Sequence, residues 1–177
     1  MTESGPEFLC FAYGSNLGRR RLAAPSRAPS ATRVAVGYVA GRRLAFDKYS
    51  SRDRSGKCDC EATGNPSDRV YGVIYRIAQS DRISLDAAEG LHHGYRDEIV
   101  TVVSGDAVYE ALAYIATEKR TGLQVYDWYL NHVVIGAVEN GLPADYIDKI
   151  RRMPTVPDNK GERASAEREI YQETSVR

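Results

Sequence analysis

Tyr13-Gly14-Ser15-Asn16-Leu17 closes the short apolar run from Phe8 to Tyr13. Such a run, stopped by Gly and Ser, reads as a buried strand that turns into a helix. The turn aims several backbone N–H groups into one small volume, which suits an anion or a developing oxyanion. Gly14 lets the main chain approach a bound molecule closely. The same spacing also fits a plain strand-to-helix turn, with Ser15 or Asn16 capping a helix through Leu17 to Leu22.

Glu89 is the second residue with a chemical reading. It lies in Ser84-Leu85-Asp86-Ala87-Ala88-Glu89-Gly90, at the end of a helix that starts at Ser80 or Asp81 and stops at Gly90. A carboxylate there faces the negative end of the helix dipole, with Asp86 on the same face. If the side chain is also buried beside tyrosines, desolvation acts in the same direction, and all three disfavour the charged form. A carboxylate so placed serves as a general base and then as an acid near neutral pH. An exposed helix-end glutamate is the other reading.

The remaining reactive side chains are sparser. His92 and His93 lack further ligands at metal spacing and read as a surface turn. Cys58-x-Cys60, with no second pair, is a weak metal or redox signal. Cys10 sits inside a strand and reads as core. Arg19-Arg20-Arg21 reads as a solvated helix face, or as an attractor for an anionic substrate.

The elements that must position these groups follow from patterning. Strands are expected at Phe8–Tyr13, Arg33–Ala40, Arg42–Asp47, Val70–Ile77, Glu98–Ser104 and Ala107–Ala116, the last two joined by a hairpin at Ser104-Gly105-Asp106. Leu123, Tyr126, Leu130, Val133, Val134 and Ala137 form an apolar stripe that predicts a helix over Thr121–Asn140. Gly141 ends it, and Pro143 opens another helix through about Met153. Most of residues 48 to 69 reads as an exposed, mobile loop. Strands and helices do not alternate regularly, so the fold class is α+β, with five or six strands able to close into a small mixed barrel surrounded by helices. Residues 1–153 form one domain, and 154–177 a polar, partly loose C-terminal tail.

Composition narrows the function classes. The chain of 177 residues carries 24 basic and 24 acidic side chains, a balance that disfavours a dedicated nucleic-acid binder. No apolar run reaches the ~20 residues of a membrane helix. MTESGPEF is acidic and polar, unlike a secretory signal. Three cysteines, an odd number, do not make a disulfide framework, so a reducing cytoplasm is the expected location. Twelve tyrosines against three phenylalanines suit a wall that is apolar yet forms hydrogen bonds.

FAYGSNL at 11–17, DRVYGVIYRI at 68–77, SLDAAEG at 84–90, Gly94-Tyr95 and IGAVENGLPADY at 135–146 occur in the order seen in the γ-glutamylcyclotransferase family, which the chain resembles over roughly residues 8 to 152. The resemblance implies a small barrel with a cavity at one end. It implies Glu89 as the acid/base, and Phe11, Ala12, Tyr13, Gly14, Ser15 and Asn16 as the cradle of the substrate's glutamyl part. Tyr95 and Tyr129 match tyrosines that line the cavity. The family pattern has small and apolar residues with a Thr where this chain has Cys58-Asp59-Cys60-Glu61. The reaction implied converts a γ-glutamyl amino acid or amine to 5-oxoproline and the free amine. The substrate's own α-amine attacks, so neither a metal nor a cofactor is expected. The partner is then a small γ-glutamyl substrate, with no nucleic acid and no membrane, and the resemblance leaves room for a homodimer. The alternatives are a cyclotransferase specialised for a natural-product or polyamine intermediate, a non-catalytic small-metabolite-binding module, and a metal- or redox-responsive protein built on Cys58 and Cys60.

Overall fold

The computed structural model describes residues 5–172. The signal reading at residues 1–4 and the tail reading at residues 173–177 lie outside the described residues.

Five strands close into a barrel, in the order β1 (Glu7–Ala12), β5 (Arg69–Ala78), β2 (Thr32–Ala40), β6 (Tyr95–Ser104), β7 (Ala107–Ala116). Neighbours are antiparallel except at the seam, where β1 meets β7 in parallel at Cys10 and Leu112. The apolar runs FLCFA and VYGVIYRI lie beside each other because both are buried on two faces: Phe11 and Ile74 share one face of the sheet, Val73 lies on the other, and all three are fully buried. The barrel expectation holds with five strands.

The sixth expected strand stands apart. β3 (Arg42–Tyr49) pairs with β4 (Gly56–Ala62) in a separate two-stranded hairpin. Residues 48 to 69 are therefore not a mobile loop, since β4 runs through their middle with Cys58, Asp59 and Cys60 buried. Polar composition hides this strand, because Lys57, Asp59 and Glu61 interrupt its buried cysteines. Asp59 accepts the Ala116 N–H at 2.9 Å and pairs with Lys119 at 2.9 Å, which pins the hairpin to β7.

The helices also differ in extent from the pattern reading. α1 is a single turn, Arg19–Leu22, preceded by Gly18; neither Ser15 nor Asn16 caps it. α2 (Arg82–Glu89) ends at Gly90, whose φ of 70° is the left-handed cap expected there. Asp81 precedes α2 but does not cap it, because its carboxylate takes the N–H and hydroxyl of Ser30. α3 spans Asp127–Glu139, not Thr121–Asn140. Val125 and Asp127 instead exchange main-chain hydrogen bonds with Val156, which holds that segment extended. α4 (Ala144–Arg151) follows as expected. The stretch expected to be partly loose contains α5 (Gly161–Glu169). α5 has no apolar stripe; ion pairs fix it, Arg163 with Asp158 and Glu167 with Arg21, each at 2.6 Å.

Candidate active site

β1 ends at Ala12, and the chain turns through Tyr13 to Asn16 before Leu17, whose N–H returns to the Gly14 carbonyl at 3.1 Å. Leu17 and Gly18 are pressed against α3. A Cβ on Gly136 would come within 2.5 Å of Leu17 Cβ, so only glycine permits this approach. The turn therefore leans on the long helix. Gly14 is equally confined, since an added Cβ would lie 2.9 Å from Cys58 Cβ. Among the described residues, no protein acceptor takes the N–H groups of Gly14, Ser15 or Asn16. They line a cavity of about 510 Å³.

The residues that the family resemblance assigns to the site all border that cavity: Phe11 to Asn16 from one side, Glu89 from the end of α2, and Tyr95 and Tyr129 from β6 and α3; Arg19, Arg20, Cys60 and His92 do not. Asn16 Nδ2 donates to Glu89 Oε1 at 2.7 Å, which joins the two motifs directly. Asn16 is thus a partner of Glu89 instead of a helix cap.

The charge environment of Glu89 departs from expectation. Asp86 is taken up by Arg82 at 2.8 Å and by the Tyr114 hydroxyl at 2.6 Å. Glu89 itself is paired with Arg27, whose Nη1 donates to Oε1 at 2.9 Å. The carboxylate is held by a counter-charge, not set beside an unbalanced acid. Both protein donors converge on Oε1, and among the described residues Oε2 has no hydrogen-bond partner.

The tyrosines are structural as well as lining. The Tyr95 hydroxyl donates to the Cys58 carbonyl at 2.7 Å, and the Cys58 N–H donates to the Tyr129 hydroxyl at 2.9 Å. One peptide segment of β4 is gripped from both sides. The Tyr13 hydroxyl donates to the Tyr114 carbonyl, so only its ring faces the cavity. Burial pushes the phenols of Tyr13, Tyr95 and Tyr129 well above their ordinary range and keeps them neutral. It pushes the thiols of Cys10, Cys58 and Cys60 up to about 12, which removes their nucleophilic character.

Several cavity residues carry no sequence signal. Arg27 comes from the Pro/Ser/Ala-rich stretch, Lys48, Asp53 and Lys57 from the segment read as a loop, and Arg163 and Glu167 from α5. Arg21, read as part of a solvated face, reaches Glu167, which also contacts the buried His132 at 2.8 Å. His92 and His93 lie exposed in a turn, as their spacing suggests. Among the described residues no helix is long and apolar enough to cross a membrane.

Comparison with known proteins agrees with this arrangement. Residues 69–150 match the model of the AIG2-like family. The chain is 32% identical to gamma-glutamylcyclotransferase of Mus musculus over 153 residues, covering 84% of this chain and 80% of the mouse protein. It is 31% identical to the Homo sapiens protein of the same name over 155 residues, covering 84% and 81%. A solved gamma-glutamyl cyclotransferase superposes with a TM-score of 0.77 at 29% identity, over 85% of this chain and 90% of that one.

Proposed function

The chain belongs to the γ-glutamylcyclotransferase family, and from that premise we propose that it is a cofactor-free enzyme that cyclises a γ-glutamyl amino acid to 5-oxoproline and releases the amino acid. The observation that carries this reading is the state of Glu89. One carboxylate oxygen is fixed by Asn16 and Arg27, and the other is unengaged in the cavity that the Gly14–Asn16 turn also borders.

The substrate's α-ammonium gives up a proton to Glu89 Oε2, and the freed nitrogen attacks the γ-carbonyl carbon to close a five-membered ring. The new C–N bond drives the carbonyl electrons onto oxygen, where N–H groups of Gly14 and Ser15 receive the charge. Collapse breaks the original amide bond as Glu89 returns its proton to the departing nitrogen. The second proton of the former ammonium leaves with that nitrogen, so the products are a lactam and an ammonium. Packed walls that hold the glutamyl chain curled supply proximity without an enzyme nucleophile. The cavity's cations, Lys48, Arg52, Lys57 and Arg163, disfavour a polyamine as the departing group.

The test is 5-oxoproline release from γ-glutamyl-alanine by the wild type and by Glu89→Gln. Release that disappears in the variant supports the reading, and a wild type inert on γ-glutamyl compounds rejects it.

A further inference from the structure

Lys48 is a cavity cation with no role in the proposed bond-making steps. It is only 7% exposed, and it borders the cavity of Glu89. Among the described residues its ammonium has neither an ion pair nor a hydrogen bond; its nearest support is the Tyr95 ring, with the centroid 4.7 Å away. Arg27 has Glu89, Lys57 has Asp53, Arg21 has Glu167 and Arg163 has Asp158, while Arg52, the other cavity cation without such a partner among the described residues, is exposed to solvent.

Its placement on the hairpin adds a second, independent observation. Lys48 stands directly opposite Lys57 across β3 and β4. Like charges facing each other on one side of a strand pair repel, and the repulsion grows with burial. Asp53 answers Lys57 at 2.7 Å, which leaves Lys48 as the member of the pair without a direct ion-pair partner. The register breaks between Ala45 and Lys48, and a bulge of this kind re-aims the side chain that follows it. Gly94 makes room for the ammonium: a Cβ there would lie 2.8 Å from Lys48 Cε and 3.0 Å from Nζ. Burial draws the Lys48 ammonium below the ordinary range, and the carboxylates of Glu89, Glu118 and Asp53 oppose this from beyond ion-pair distance. A largely buried cation that borders the cavity and has no direct hydrogen-bond or ion-pair partner among the described residues is complementary to an anion delivered with the substrate.

We propose that Lys48 is a specificity-determining residue that receives a carboxylate of the γ-glutamyl substrate. The inference rests on the cyclotransferase reading. A γ-glutamyl amino acid offers two such groups, the α-carboxylate of the glutamyl head and the carboxylate of the departing amino acid.

The experiment compares wild type with Lys48→Met on three compounds: γ-glutamyl-alanine, γ-glutamyl-ethylamine, which lacks the departing carboxylate, and the α-carboxamide analogue of γ-glutamyl-alanine, which lacks the head carboxylate. The expected result is a KM raised about 10- to 100-fold for γ-glutamyl-alanine, with kcat changed less than about 3-fold. That penalty disappears on the one analogue lacking the carboxylate that Lys48 receives, which identifies it. Lys48→Arg restores most of the affinity if charge is what matters. An unchanged KM, or an equal penalty on all three compounds, overturns the assignment while leaving the cyclotransferase reading intact. If the wild type releases no 5-oxoproline from any of them, that reading falls. Calorimetric binding of γ-glutamyl-alanine to wild type and Lys48→Met then still decides whether Lys48 receives a carboxylate.

Discussion

Arg27 Nη1 and Glu89 Oε1 meet at 2.9 Å, and the same guanidinium nitrogen lies 3.2 Å from Asn16 Oδ1. The three side chains form a closed triangle, so Arg27 sets the direction in which the free carboxylate oxygen points. Arg27→Gln is expected to lower kcat/KM about 10- to 100-fold with the fold retained, as circular dichroism and steady-state assays would show. Activity within a factor of two of wild type would reduce the pair to an ordinary ion pair of little consequence.

Glu89→Gln keeps the shape of the side chain and its acceptor toward Asn16 but removes the proton-transfer group. Turnover is expected to fall about 10³-fold or more, while the melting temperature moves by less than about 5 °C. Substantial residual turnover would transfer the base role to another group.

Gly14→Ala puts a methyl where Cys58 Cβ is 2.9 Å away, so either the turn or β4 must shift. Urea unfolding should report a loss of about 1–3 kcal/mol, and turnover should fall about tenfold as the N–H groups are displaced. If neither changes, the turn is not rigidly held against the hairpin.

Tyr129→Phe removes the oxygen that accepts the buried Cys58 N–H. An unanswered buried donor costs about 1–3 kcal/mol, readable as a lower urea midpoint with unchanged slope. No loss would mean that the hydroxyl is dispensable to the fold and only lines the cavity.

The docking of α5 is expected to be acid-sensitive. Burial pushes the Glu167 carboxyl up, but the His132 hydrogen bond and the Arg21 guanidinium outweigh it and hold it at about 2, against an ordinary 4.5. Between those values the unfolded chain binds the proton and the folded one does not, so this contribution is full above 4.5 and is lost as pH falls through about 2. The stability difference between wild type and Glu167→Gln should shrink over that range in chemical unfolding at stepped pH. A constant difference would place the contribution elsewhere than in the carboxylate's charge.

The turn at Gly14–Asn16 and the helix end at Glu89 were legible because each is a local device: a few adjacent residues determine the backbone path. The barrel was legible through the apolar runs of β1 and β5 and the hairpin signal between β6 and β7. β4 was not, since the sequence from Gly56 to Ala62 buries Cys and Asp in place of alternating apolar residues, and a bulge offsets its partner. α5 escaped notice for another reason, because side-chain ion pairs rather than a stripe hold it. Arg27 reaches Glu89 across 62 positions, a closure that no spacing rule encodes.

The two sheets divide labour. Glu89 and the Gly14 turn are anchored to the closed barrel, whereas Lys48, Asp53 and Lys57 ride on the separate β3–β4 arm. Substitutions at Lys48, Asp53 and Lys57 change the cavity wall from an element that meets the bond-making turn at Cys58, so that contact sets how far the arm can be altered before the turn moves.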